Sequence, residues 1–147
     1  MSNENQTNRT LLLIEDNEDD VFLMRRALRK SNINLPLQVV MDGQEALDYL
    51  AGANKFADRS LHPIPALVFL DLKLPYVHGF EVLQWIRSQE QLRDIPVVVL
   101  TSSPEDRDRQ KAHALGSRAY YVKPPSPEVL LQAMQFVPGY QPEAASK

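Results

Sequence analysis

Short apolar runs alternate along this chain with longer stretches of helical spacing, and most of the apolar runs stop abruptly on a polar residue. Thr10-Leu11-Leu12-Leu13-Ile14 ends on Glu15-Asp16-Asn17, Pro36 to Met41 on Asp42-Gly43, and Ala66-Leu67-Val68-Phe69-Leu70 on Asp71. Ile95-Pro96-Val97-Val98-Val99-Leu100 ends on Thr101-Ser102-Ser103, and Arg118 to Val122 on Lys123-Pro124-Pro125. The runs before Asp71 and Thr101 have no polar alternation, which is the pattern of strands covered on both faces in a parallel sheet. Between them, Glu18 to Lys30 carries Val21, Phe22, Met24, Ala27 and Leu28 near helical spacing, with acids at its start and Arg29 and Lys30 at its end to suit the helix dipole. Ala46, Leu47 and Leu50 mark a second helix over Gln44 to Ala51, and Phe80, Val82, Leu83, Trp85 and Ile86 a third. The fourth, Glu105 to Leu115, offers only Ala112, Ala114 and Leu115 to a core and is expected to be loosely held. Ser126 caps the fifth, which runs to Val137 before Pro138-Gly139. Strands alternating with helices of this length imply right-handed crossovers and a doubly wound parallel α/β sheet.

Residues 1–9 read as a polar, disordered lead-in, 10–137 as one domain, and 138–147 as a tail that is floppy or reaches a partner. The segment Gly52 to Pro65 is long for a helix-to-strand connection, where two to six residues are usual, and reads as an insertion that is mobile or binds a partner. Trp85, Phe80, Phe22 and the Leu/Val runs are assigned to the core. His62, His78 and His113 have no ligand spacing and are placed at the surface.

Composition narrows the classes. The 147 residues are 44% hydrophobic and 24% charged, which suits one globular domain. The net charge of -3, with basic residues dispersed except for Arg25, Arg26, Arg29 and Lys30 on one helix, argues against a nucleic-acid partner and makes that cluster a solvated or docking face. With no cysteine, disulfides and thiol chemistry are excluded. No signal-peptide core or apolar stretch of membrane-spanning length is present, so a cytoplasmic protein without a membrane partner is expected.

In a doubly wound sheet ligands bind outside the carboxyl ends of the strands. Taken alone, an aspartate there is more often a solvated loop residue. Here that edge gathers Glu15, Asp16, Asp71, Thr101 and Lys123. Packed acids raise one another's pKa unless a cation neutralises them, and Mg²⁺ (or Mn²⁺) suits a few carboxylates together with phosphate oxygens. A carboxylate in such a site can act as nucleophile toward a phosphoryl group, while ammonium and hydroxyl donors hold the phosphoryl oxygens. One acid is then the nucleophile and the others are metal ligands.

Glu15-Asp16, Asp71 followed by Pro75 and Gly79, Thr101-Ser102 and Lys123-Pro124, in that order between Leu11 and Val137, resemble the receiver domain of two-component response regulators. The Glu-Asp pair, the long segment before the third strand and the stretch Leu92 to Leu100 further resemble the stand-alone receivers that partner bacterial and cyanobacterial phytochrome histidine kinases. The resemblance implies a flavodoxin-like (βα)5 three-layer sandwich with sheet order 2-1-3-4-5. It makes Asp71 the phosphoacceptor for a histidine kinase, and the likeness to that subgroup implies a bacteriophytochrome as the kinase. Asp16, Asp71 and the backbone carbonyl of Lys73 would be direct Mg²⁺ ligands, and Glu15 a ligand through water. Thr101 and Lys123 would bind the phosphoryl oxygens, Lys123 preceding a cis bond to Pro124. Tyr120 would be the switch ring that turns inward as Thr101 moves, changing the surface of the fourth helix, fifth strand and fifth helix. A homodimer on that surface and an unknown downstream protein are the expected partners, and self-dephosphorylation is expected to be slow.

Some positions depart from the family's pattern. His78 stands where an acid is frequent, Pro125 replaces a bulky apolar residue, and Lys73 and Ser103 hold the two positions that tune the lifetime of the phosphorylated form. No output domain is expected after Val137, so the signal would leave through the receiver itself. Two alternatives are an aspartyl-nucleophile phosphatase and a pseudo-receiver that works without phosphorylation. Such phosphatases commonly carry a second acid two residues after the nucleophile, where this chain has Lys73. The pseudo-receiver is disfavoured because every member of the site is present.

Overall fold

The computed structural model describes residues 9–141. The proposed lead-in up to residue 8 and the tail from residue 142 lie outside the described residues. Five parallel strands, β1 (Leu11–Ile14), β2 (Leu37–Val40), β3 (Leu67–Leu70), β4 (Val97–Thr101) and β5 (Ala119–Val122), form one sheet in the order β2-β1-β3-β4-β5. The helices are α1 (Glu18–Lys30), α2 (Gly43–Ala51), α3 (Gly79–Ser88), α4 (Asp106–Ala114) and α5 (Pro127–Ala133), with 3-10 turns at Asn54–Phe56 and Met134–Phe136. This is the flavodoxin-like arrangement expected from the alternation of elements.

The unbroken apolar runs are explained by the layers. Successive strand side chains point to opposite faces, and both faces are covered. Leu12, Ile14, Val68, Leu70 and Val97 pack with Ala46, Leu50, Val82 and Ile86 of α2 and α3, while Leu11, Leu13, Leu67, Phe69 and Val98 pack with Met24, Leu28, Leu130 and Ala133 of α1 and α5. Helix α4 closes on Val99, Leu72 and Tyr120 through Ala112 alone among its own buried residues. Ala114, expected from its spacing to face the core, is exposed. Ser126 caps α5 as expected, and Asn17 and Asp42 likewise accept from the backbone N–H three residues on, while His78 with Glu81 completes a capping box on α3.

Three other expectations are corrected. Phe22 is 58% exposed. Val21 and Phe22 are adjacent, 100° apart on the helix, and Val21 takes the inward side, so Phe22 stands outside among Arg25, Arg26, Arg29 and Lys30, all exposed. The segment Gly52 to Pro65 is packed, not free. Phe56 is buried beside Tyr49, and His62 stands edge-on to both rings at 5.1 and 5.7 Å. Arg59 Nη1 donates to the carbonyls of Tyr49 (2.8 Å) and His62 (3.0 Å), and its Nη2 to that of Leu50 (2.7 Å), so one guanidinium ties the last turn of α2 to the segment that follows it. His62, placed at the surface from sequence, is therefore half-buried, with Nδ1 enclosed and without a hydrogen-bond partner.

Candidate functional site

Strand register alone brings the chemistry together. Ile14 pairs with Leu70, so Glu15 and Asp71 leave the sheet side by side, and the Asp71 N–H donates to the Ile14 carbonyl at 3.1 Å. Leu70 pairs with Val99 and Thr101 with Val122, which sets Thr101 and Lys123 on the same edge; the Lys123 N–H donates to the Thr101 carbonyl at 2.8 Å. The loop after Asp71 folds tightly back on itself. A Cβ at Gly79 would lie 2.5 Å from the Asp71 carbonyl oxygen and 2.6 Å from Leu72 Cα, so only glycine lets α3 start this close to the acid. The Lys123-Pro124 bond is cis, as the resemblance implied.

The Lys123 ammonium is the electrostatic centre. Its Nζ lies 2.6 Å from Glu15 Oε1, 2.9 Å from Asp20 Oδ2 and 3.2 Å from Asp71 Oδ2, with only 12% of the side chain exposed. Burial by itself would lower the Lys123 pKa, but hydrogen bonds to Glu15 and Asp20 and the charges of Asp71 and Glu15 outweigh it and carry the pKa well above the ordinary lysine range. Glu15 goes the other way from a typical paired acid. Burial pushes its carboxyl above the usual range; the Lys123 hydrogen bond opposes this, the Asp71 charge adds to it, and the Asn17 N–H opposes it again. At Glu15 burial thus outweighs the contact with Lys123.

Glu15, Asp16 and Asp71 each offer a carboxylate oxygen, and these oxygens all lie within 4.8 Å of one another. Hard, oxygen-only donors at this spacing fit Mg²⁺ or Mn²⁺. Asp16 is exposed while Glu15 and Asp71 are buried, so the group opens to solvent on one side.

Thr101 is fully buried, and the Ser103 N–H approaches its Oγ1 at 3.5 Å. Tyr120 is already inside, 8% exposed, its hydroxyl donating to the Ser103 carbonyl at 2.8 Å. Burial raises the phenol pKa, with the Ser103 hydrogen bond opposing. The Ser103 hydroxyl donates to Asp108 at 2.7 Å, which ties this position to α4. The Lys73 side chain is exposed, and its N–H stands 3.5 Å from Asp71 Oδ1. Two participants were not picked out from sequence. Asp20 looks like an ordinary acid in the first turn of a helix, and Arg109 like one more charge on a polar helix. Neither spacing nor composition marks them, although both stand on elements that pack against site residues.

Comparison with known proteins agrees with this layout. The family model described as the response regulator receiver domain matches residues 11–135. Among curated relatives, the probable methanogenesis regulatory protein FilR2 of Methanothrix harundinacea is 40% identical over 88% of this chain and 81% of its own, and the response regulator Rcp1 of Synechocystis is 32% identical over 95% and 93%. Among solved structures, the bacteriophytochrome response regulator AtBRR superposes with a TM-score of 0.82 at 40% identity, covering 94% of this chain and 98% of that one. The Mn²⁺-bound form of Rcp1 gives 0.75 at 29% identity, over 92% and 99%. With the family model covering most of the chain and a curated relative at 40% identity, the chain belongs to the response regulator receiver family.

Proposed function

We propose that Asp71 is the phosphoacceptor of this receiver and that the donor is a phosphohistidine on a kinase of the phytochrome type. The observation that carries the reading is Lys123 Nζ, 3.2 Å from Asp71 Oδ2 and 2.6 Å from Glu15, beside the three-carboxylate group. An Asp71 carboxylate oxygen attacks phosphorus, the phosphorus–nitrogen bond of the phosphohistidine breaks, and the imidazole leaves with that electron pair and takes up a proton. Glu15, Asp16 and Asp71, with the backbone carbonyl of Lys73, would hold Mg²⁺. When bound, Mg²⁺ supplies charge neutralisation for the acids and the phosphoryl oxygens. Lys123 gives an N–H to a phosphoryl oxygen, and the Thr101 hydroxyl gives a second donor.

The consequence is a changed surface. Movement at Thr101 is felt by Ser103, two residues on, which holds Tyr120 through its carbonyl and α4 through its hydroxyl. The α4-β5-α5 face is therefore the proposed site of homodimerisation and of downstream contact. The phytochrome-type kinase rests on likeness to bacteriophytochrome response regulators. The exposed Phe22 and Leu23 of α1, flanked by Arg25, Arg26, Arg29 and Lys30, supply an apolar and basic face near the site on which it could dock. We assign the chain to signalling in the cytoplasm rather than to turnover of a substrate. Lys73 stands where an aspartyl phosphatase would commonly carry its second acid, and no helix among the described residues is long and apolar enough to cross a membrane.

Incubation with acetyl phosphate and Mg²⁺ followed by intact-mass spectrometry tests the reading. One added phosphoryl group is expected, absent in Asp71→Asn and absent when the metal is chelated. An unchanged mass in the parent protein would overturn it.

A further inference from the structure

The acids around Lys123 are not equivalent. Glu15, Asp16 and Asp71 form the group able to hold a cation, and Asp20 is outside it. Yet Asp20 Oδ2 lies 2.9 Å from Lys123 Nζ, nearer than Asp71 at 3.2 Å, across 103 positions of sequence. Asp20 is also firmly placed. It is in the first turn of α1, and its N–H donates to the capping side chain of Asn17 at 2.9 Å. Its neighbours Glu18 and Asp19 satisfy the helix dipole from the same turn, and among the described residues neither enters an ion pair. The dipole therefore does not account for Asp20's contact.

An ammonium has three N–H bonds, and here three carboxylates receive them: Glu15, Asp20 and Asp71. Phosphoryl transfer to Asp71 changes the claims on two of the three. Glu15 and Asp71 are drawn toward the cation, and Asp71 becomes an acyl phosphate with less negative charge on its own oxygens. Asp20 has no second claim. We propose that Asp20 is a positioning residue for Lys123: a carboxylate fixed on α1 that holds the ammonium beside Asp71 while its other partners turn away, leaving an N–H to meet the incoming phosphoryl oxygen. This rests on the phosphoacceptor reading and adds a residue to it.

Variants Asp20→Ala, Asp20→Asn and Asp20→Glu separate positioning from support of the fold. In the metal-free parent protein, nitrogen-15 NMR should detect the Lys123 ammonium as a slowly exchanging signal, because its hydrogens are engaged. Asp20→Ala and Asp20→Asn should broaden it away, and Asp20→Glu should retain it. The rate of phosphorylation by acetyl phosphate and the affinity for beryllofluoride should fall about 5- to 10-fold in Asp20→Ala, the size of one lost charge-assisted hydrogen bond, with recovery in Asp20→Glu. Mg²⁺ affinity is measured separately by calorimetry without a phosphodonor. If weaker Mg²⁺ binding accounts for the whole fall, Asp20 acts only as one more negative charge in the field of the cation and the proposal is overturned. It is equally overturned if the ammonium signal and the rates are unchanged. Should the parent protein take up no phosphoryl group, the phosphoacceptor reading fails, and the ammonium signal alone still decides whether Asp20 holds Lys123.

Discussion

Arg109 lies across the ring of Tyr120, its guanidinium carbon 4.6 Å from the ring centroid, and its Nη1 donates to the Tyr120 carbonyl at 3.1 Å. The ring is thus held from two sides, by Arg109 on its face and by the Ser103 carbonyl at its hydroxyl. Removing the face contact should let the ring sample outward positions. An exposed cation–π contact is worth about 0.5–1 kcal/mol, so Arg109→Ala is expected to weaken beryllofluoride binding about 2- to 5-fold. Averaged, mobile Tyr120 ring resonances should accompany the loss. Unchanged ring signals in the variant would show that Arg109 does not hold the switch.

Lys123→Ala leaves Glu15 and Asp71 buried with no ammonium between them. Removing one partner of a buried charge pair costs about 3–5 kcal/mol, so urea denaturation of the metal-free variant should show a large loss. Mg²⁺ should restore more stability to this variant than to the parent protein, because no ammonium then competes for the acids. Melting temperatures with and without Mg²⁺ give the comparison.

Tyr49 is fully buried, its hydroxyl donating to the Pro63 carbonyl at 2.9 Å, and burial pushes its phenol up from 10.0 to about 12, with the nearby Arg59 charge opposing. An acid whose folded pKa is raised keeps its proton in the folded chain after the unfolded chain has lost it. Stability therefore falls as pH rises from the ordinary tyrosine value to about 12, by up to about 1.4 kcal/mol per pH unit for this group. Tyr49→Phe should cost about 1 kcal/mol at neutral pH for the lost hydrogen bond. Its deficit should close by about pH 11, since phenylalanine has no proton to lose. Denaturant midpoints at both pH values measure the crossing.

Arg59→Ala removes three hydrogen bonds to the carbonyls of Tyr49, Leu50 and His62. The expected loss is about 2 kcal/mol, because water can reach part of what the guanidinium covered. Amide exchange should speed up over Gly52 to Pro65 and leave β3 and β4 unchanged. Uniform acceleration would mean that the segment unfolds only with the whole domain.

The sheet and its site were legible because each functional residue terminates an apolar run. Asp71, Thr101 and Lys123 sit where a strand covered on both faces must stop, and strand ends in such a sheet share one edge. What escaped lies where side chains follow no period. Asp20 is three residues past a cap, where acids are common for reasons of helix dipole alone. Phe22 was misassigned because spacing cannot say which of two adjacent apolar residues faces inward. The packing of Phe56, Arg59 and His62 against Tyr49 joins a connection to a helix, and neither part carries a repeating pattern that points to the other. Tyr120 was recognised by its position, but its inward placement depends on Arg109 and Ser103, contacts that only the fold reveals.

The ion pairs of Lys123 reach back 52 residues to Asp71 and 103 to Asp20. Lys123 meets Asp71 and Asp20 only once β1, β3, β4 and β5 have docked in register, so this cluster of charges belongs to the assembled sheet and to no single strand–helix unit.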